Sequence, residues 1–159
     1  MKALLFVSLF ALSGCLGNTW YVDSRFTAEE QEKIQAAVDS WVEVGATPVD
    51  LVFGEKISSG ETGRRVVIRA GEREACSWHE GFIGSEWTAV NHAGFNFQRI
   101  VINVDRVEPA LFQRVVAHEF GHYYIGSDHL GPGALMYRTA DADYPTGEDV
   151  RALILSRHP

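Results

Sequence analysis

The sequence predicts a single α+β domain. A segment of helical period comes first, short apolar runs of strand character follow in the middle, and two further helical segments close the chain. Runs of strands between helices, without strict alternation of the two, indicate α+β organisation. At 159 residues the chain is long enough for one domain with a real core and too short for two.

The first helix is read in FTAEEQEKIQAAVDSWVEVG. Thr27 with Glu30 three residues later makes a capping box, Ile34, Ala37, Val38, Trp41 and Val42 recur at helical spacing, and Gly45 ends the run. Strand-like runs follow at Val49–Phe53, Arg65–Ala70, Glu86–Val90 and Arg99–Val104. The last contains RIVINV, apolar enough to be covered on both faces. A second helix is expected through ALFQRVVAHEFGHYYI, with Pro109 tolerated in its first turn. Its broad stripe of Leu111, Phe112, Val115, Val116 and Phe120 predicts a buried central helix. A third is expected in PTGEDVRALILSRHP, capped by Thr146 and Asp149.

The start of the chain, MKALLFVSLFALSGC, has one lysine, an apolar run from Ala3 to Leu12 and small residues before a cysteine. The run is too short to span a bilayer and reads as an export signal. Leu12, Ser13, Gly14 and Cys15 resemble the bacterial lipobox, in which the signal is cut before the cysteine and that cysteine is acylated. The resemblance implies a signal peptide at 1–14, a lipidated Cys15 with a tether over 15–24, and the folded domain over 25–159. It also implies an exported protein held at the cell envelope by its lipid anchor only. Leu16 is not the aspartate that retains lipoproteins at an inner membrane, so an outer-membrane address follows where the cell has two membranes.

The net charge is −7, with 21 acidic residues against 14 Lys plus Arg and no basic run, which excludes nucleic acid as a natural partner. The only other cysteine, Cys76, reads as a buried and unreactive thiol. His79 and His92 lack ligand spacing and read as ordinary exposed histidines. Trp87–Val90 is the candidate edge strand for aligning an extended peptide by backbone pairing.

The chemistry is concentrated in HEFGHYYIGSDHLGPGALMY, residues 118–137. At about 100° per residue, His118 and His122 lie about 40° apart on one helix face and can reach one ion, while Glu119 sits about 60° to the side of His122. Two imidazoles with a carboxylate beside them suit metal-assisted hydrolysis, in which the carboxylate handles the proton of an attacking water. A catalytic zinc site keeps three protein ligands and one open position. Gly126 can end the helix in a left-handed conformation and return the chain toward the metal. The third ligand is then His129 or Asp128.

HEFGH, the glycine, His129 and ALMY resemble the metzincin zinc peptidases, most closely their matrixin branch, whose pattern is HExxHxxGxxH followed by a Met-turn. This chain departs from the pattern by one residue. Ile125 and Asp128 occupy the family's glycine and ligand positions, whereas Gly126 to His129 keeps the family's glycine-to-histidine interval. One residue inserted after His122 accounts for this, and makes His129 the preferred ligand with Asp128 the alternative.

The resemblance implies a metzincin-like single domain: a twisted mixed β-sheet with a first helix, a central zinc-binding helix and a C-terminal helix. It implies one catalytic Zn2+ held by His118, His122 and His129, Glu119 as general base, and Met136 as the hydrophobic base of the site. Arg138 stands where some metzincins carry a tyrosine donor, so zinc and Glu119 must carry the oxyanion. Tyr123, Tyr124 and Tyr137 read as packing residues. The implied activity is zinc-dependent endopeptidase cleavage of a protein or peptide substrate by a monomer. The alternative is a zinc-stabilised, catalytically weak binding lipoprotein.

Overall fold

The computed structural model describes residues 18–58, 63–71, 89–94, 97–126, 129–137, 140 and 142–156; the side chains of 90–97 lie outside that description. Among the described residues the chain forms strand β1 (Thr19–Asp23), helix α1 (Ala28–Glu43), strands β2 (Asp50–Glu55), β3 (Arg65–Ala70), β4 (Ala89–Gly94) and β5 (Phe97–Asn103), and helices α2 (Phe112–Ile125) and α3 (Gly147–Ser156). The fold is α+β, as the sequence predicts. Its sheet is mixed, in the order β2-β1-β3-β5-β4. Strands β2, β1, β3 and β5 run parallel, and β4 pairs antiparallel with β5 at the edge.

The first strand corrects the sequence reading. Thr19–Asp23 was expected within a tether over 15–24, but it is a central strand, in register with β2 on one side and β3 on the other. Trp20 and Val22 are fully buried. Five residues with one polar end carry too little periodicity to announce a strand, and the sheet that buries them is assembled from residues 30 to 80 positions away. The strand places residues 19–23 inside the fold, ahead of the expected boundary at residue 25.

The other elements adjust the expectations in smaller ways. The run expected at 86–90 forms its strand at Ala89–Gly94, and 86–88 lie outside the described residues. Pro109, expected in the first turn of the second helix, precedes it in a turn where the Leu111 amide donates to the Glu108 carbonyl at 2.8 Å. The capping box of α1 forms as read: the Glu30 amide donates to Thr27 Oγ1 at 3.2 Å and the Thr27 amide to Glu30 Oε2 at 2.7 Å.

Alternate residues of the strands separate two layers. Trp20, Val22, Val67, Ile100 and Ile102 face α1 and α2 and form the main core with Ile34, Val38, Trp41, Phe112, Val116 and Phe120. Val66, Ile68, Ala70 and Val101 form a smaller cluster on the opposite face with Tyr21 and Ile57 packed against it. RIVINV is thus covered on both faces. Trp41 Nε1 of α1 donates to the Ala117 carbonyl of α2 at 2.7 Å, fixing the central helix one residue before its first histidine. Residues Val116 to Gly121 are all buried, so α2 is the buried central helix that its apolar stripe predicts.

Candidate metal centre

Two of the three histidines are placed by helix geometry alone. His118 and His122 lie one turn apart on α2, with ring centroids 4.8 Å apart. Gly126 ends that turn with φ +101° and ψ −171°, so its backbone has positive φ but is extended where the αL conformation was expected. Few side-chain-bearing residues adopt such a φ. The chain turns back, and His129 arrives with its ring 5.3 Å from His118 and 5.1 Å from His122. One ring nitrogen from each lies within 4.8 Å of the others, so the three histidines could hold a metal ion.

The donor set fits zinc in kind. Donors around a tetrahedral zinc stand roughly 3.4 Å apart, and the exposed His129 is the member with room to close in. Two of the imidazoles are already oriented by backbone. His118 Nδ1 is 2.8 Å from the Leu135 carbonyl, and His122 Nδ1 is 3.0 Å from the Gly126 carbonyl. A carbonyl can only accept, so each Nδ1 carries the proton and each Nε2 keeps its lone pair for a ligand. Gly126 therefore both stops the helix and sets the tautomer of His122.

Burial keeps these rings neutral. It pushes the His118 pKa down to about 4; the Leu135 carbonyl opposes this, the neighbouring His122 and His129 add to it, and the Asp149 carboxylate opposes it again. His122 is lowered for the same leading reason, desolvation. Glu119, beside His118, is also buried, at 6 % exposure.

The segment after His129 supplies the floor. The Leu130 amide donates to the Met136 carbonyl at 2.9 Å and Gly133 takes φ +90°, folding 130–136 into a tight loop. Ala134, Leu135 and Met136 are fully buried, the burial expected of Met136. A Cβ built on Gly121 would strike Met136 Sδ and lie 2.7 Å from Trp41 Cζ2. The glycine inside HEFGH lets the methionine pack directly against the helix between the two histidines.

The sequence reading missed this role of Gly121, although the residue stands inside the motif. It also missed the main role of Asp149. Expected as a helix cap, Asp149 is fully buried and accepts hydrogen bonds from Thr146 N and Oγ1 at 2.7 and 2.8 Å, and from the Leu135 and Met136 amides at 3.0 Å each. It is both the cap of α3 and the clamp on the loop beneath the histidines.

Tyr123 and Tyr124 pack as expected, against Trp20 at 5.4 Å and Trp41 at 5.6 Å between ring centroids. Asp128, Arg138, Cys15, Cys76 and His79 lie outside the described residues, as does the side chain of His92.

Comparison with protein-family models finds none that matches the chain, and comparison with curated proteins finds no match either.

Proposed function

We propose that the chain is a zinc-dependent endopeptidase of matrixin-like metzincin type, exported and lipid-anchored at the cell envelope through Cys15. The observation that carries this reading is the convergence of His118, His122 and His129 with Nδ1 of the first two occupied by backbone carbonyls, next to the buried carboxylate of Glu119. A purely structural zinc site is more often closed by a fourth protein ligand and has no use for a neighbouring carboxylate.

When bound, zinc would polarise the scissile carbonyl and acidify a water. His118 and His122 would hold the ion through Nε2 and His129 through a ring nitrogen, and the Leu135 and Gly126 carbonyls keep the first two from turning away. Glu119 would take the proton of the attacking water and return it to the leaving amine. An extended substrate has a natural template in the backbone of β4, which among the described residues pairs on one side only, with β5.

The test is zinc content per chain and casein cleavage for the domain lacking residues 1–15, compared among wild type, His129→Ala and Asp128→Ala. Loss of both in His129→Ala alone supports the proposal as written. Loss in Asp128→Ala alone moves the third ligand. Zinc retained without cleavage in wild type favours the binding-lipoprotein reading.

A further inference from the structure

The position of Asn18 limits how the anchored domain can lie on a membrane. Its carbonyl accepts from the Asp50 amide at 3.0 Å, and its side-chain Oδ1 accepts from the Tyr123 hydroxyl at 3.1 Å. The next residue starts a central strand. Only three peptide links separate Asn18 from Cys15, and they span at most about 11 Å even when fully extended. Acyl chains on Cys15 would therefore hold this end of the domain against the headgroups, with no long tether to let it turn.

The surface around that point suits such a position. Asn18 lines a cleft of about 240 Å³ with Thr47, Tyr123, Tyr124, Leu153 and Ser156, none of them charged. Two of the lining residues, Tyr123 and Tyr124, are tyrosines, a side chain favoured at bilayer interfaces. On the same last turn of α3, Ile154 and Leu155 are 54 % and 65 % exposed, among the most exposed large apolar residues that the structure describes.

We propose that this end of the domain, with Asn18 and the last turns of α2 and α3, rests on a zwitterionic bilayer surface and that Ile154 and Leu155 insert into the interface. The proposal rests on the lipid-anchor reading of Cys15. Two apolar side chains hold a soluble domain weakly, but tethering makes their contact intramolecular and raises its effective concentration. The net charge of −7 argues against an anionic surface. The metal centre would then lie close to the membrane, since Tyr123, bonded to Asn18, directly follows His122.

The test uses the full acylated chain with Cys76→Ser in phosphatidylcholine vesicles. An environment-sensitive fluorophore is placed at Leu155→Cys or, as a control, at Glu32→Cys on α1, whose exposed position lies about 16 Å along the helix from the end leading to Thr47. A blue-shifted position-155 probe that loses most of its emission to lipid-borne nitroxide, with an unaffected position-32 probe, is the expected result. With acylation verified by mass, equal quenching at both positions or none at 155 overturns the surface while leaving the anchor intact. A Cys15 without acyl chains overturns the anchor reading and this proposal with it. No outcome depends on peptidase activity, so failure here is separable from failure of the catalytic assignment.

Discussion

A single peptide unit joins His118 to Asp149. The Leu135 carbonyl accepts from His118 Nδ1 at 2.8 Å, and the Met136 amide of that same peptide donates to Asp149 Oδ1 at 3.0 Å. A carboxylate on the N–H side strengthens the carbonyl as an acceptor, so Asp149 supports the orientation of a candidate ligand without touching it.

Asp149→Asn would face three amides and a hydroxyl with one fewer acceptor. Leaving a buried donor unmet costs about 1–3 kcal/mol, so the variant should lose about that much stability and bind zinc more weakly. Urea unfolding of the metal-free protein and zinc affinity would be measured together. A stability loss with wild-type zinc affinity would show that the clamp does not reach the site.

Gly121→Ala should destabilise the domain even though alanine favours helix by about 1 kcal/mol. Overpacking against Met136 and Trp41 opposes that gain with about 1–3 kcal/mol. In a Met136→Ala background the cost should shrink, because the principal obstruction is gone. An equal cost in both backgrounds, measured by denaturant unfolding, would remove Met136 from the explanation.

If Glu119 is the proton carrier of the proposed peptidase, Glu119→Gln should keep its zinc while cleavage falls by roughly 10²–10⁴-fold. Near-wild-type turnover with full metal occupancy would exclude Glu119 from the chemistry.

The metal-free domain should lose stability as pH falls from 6.5 toward 4. In the unfolded chain His118 titrates near its ordinary value of 6.5, whereas in the fold it stays neutral to about 4. Over that window the unfolded state binds more protons, so the free energy of unfolding decreases as the pH is lowered; His122, also lowered, acts in the same direction. Thermal midpoints across this range would check it, with His118→Gln expected to flatten the slope. A midpoint that does not change between pH 6.5 and 4 would contradict the burial of these rings.

Much of the site was legible because it is local. The spacing of His118 and His122, the capping box at Thr27 and Glu30, and the stop at Gly126 all follow from helix geometry over a few residues. His129 was reachable from the glycine interval, and the structure brings its ring to the other two.

What the sequence determined by itself was the α+β class, the central helix and the histidine pair, each set by short-range periodicity and capping. Only the tertiary structure decided that Thr19–Asp23 is a central strand, that Gly121 gives Met136 its place, and that Asp149 grips the Leu135–Met136 amides. Those roles depend on partners 13 to 45 residues away, brought together when the sheet and helices close on a common core, and no local period records such a meeting.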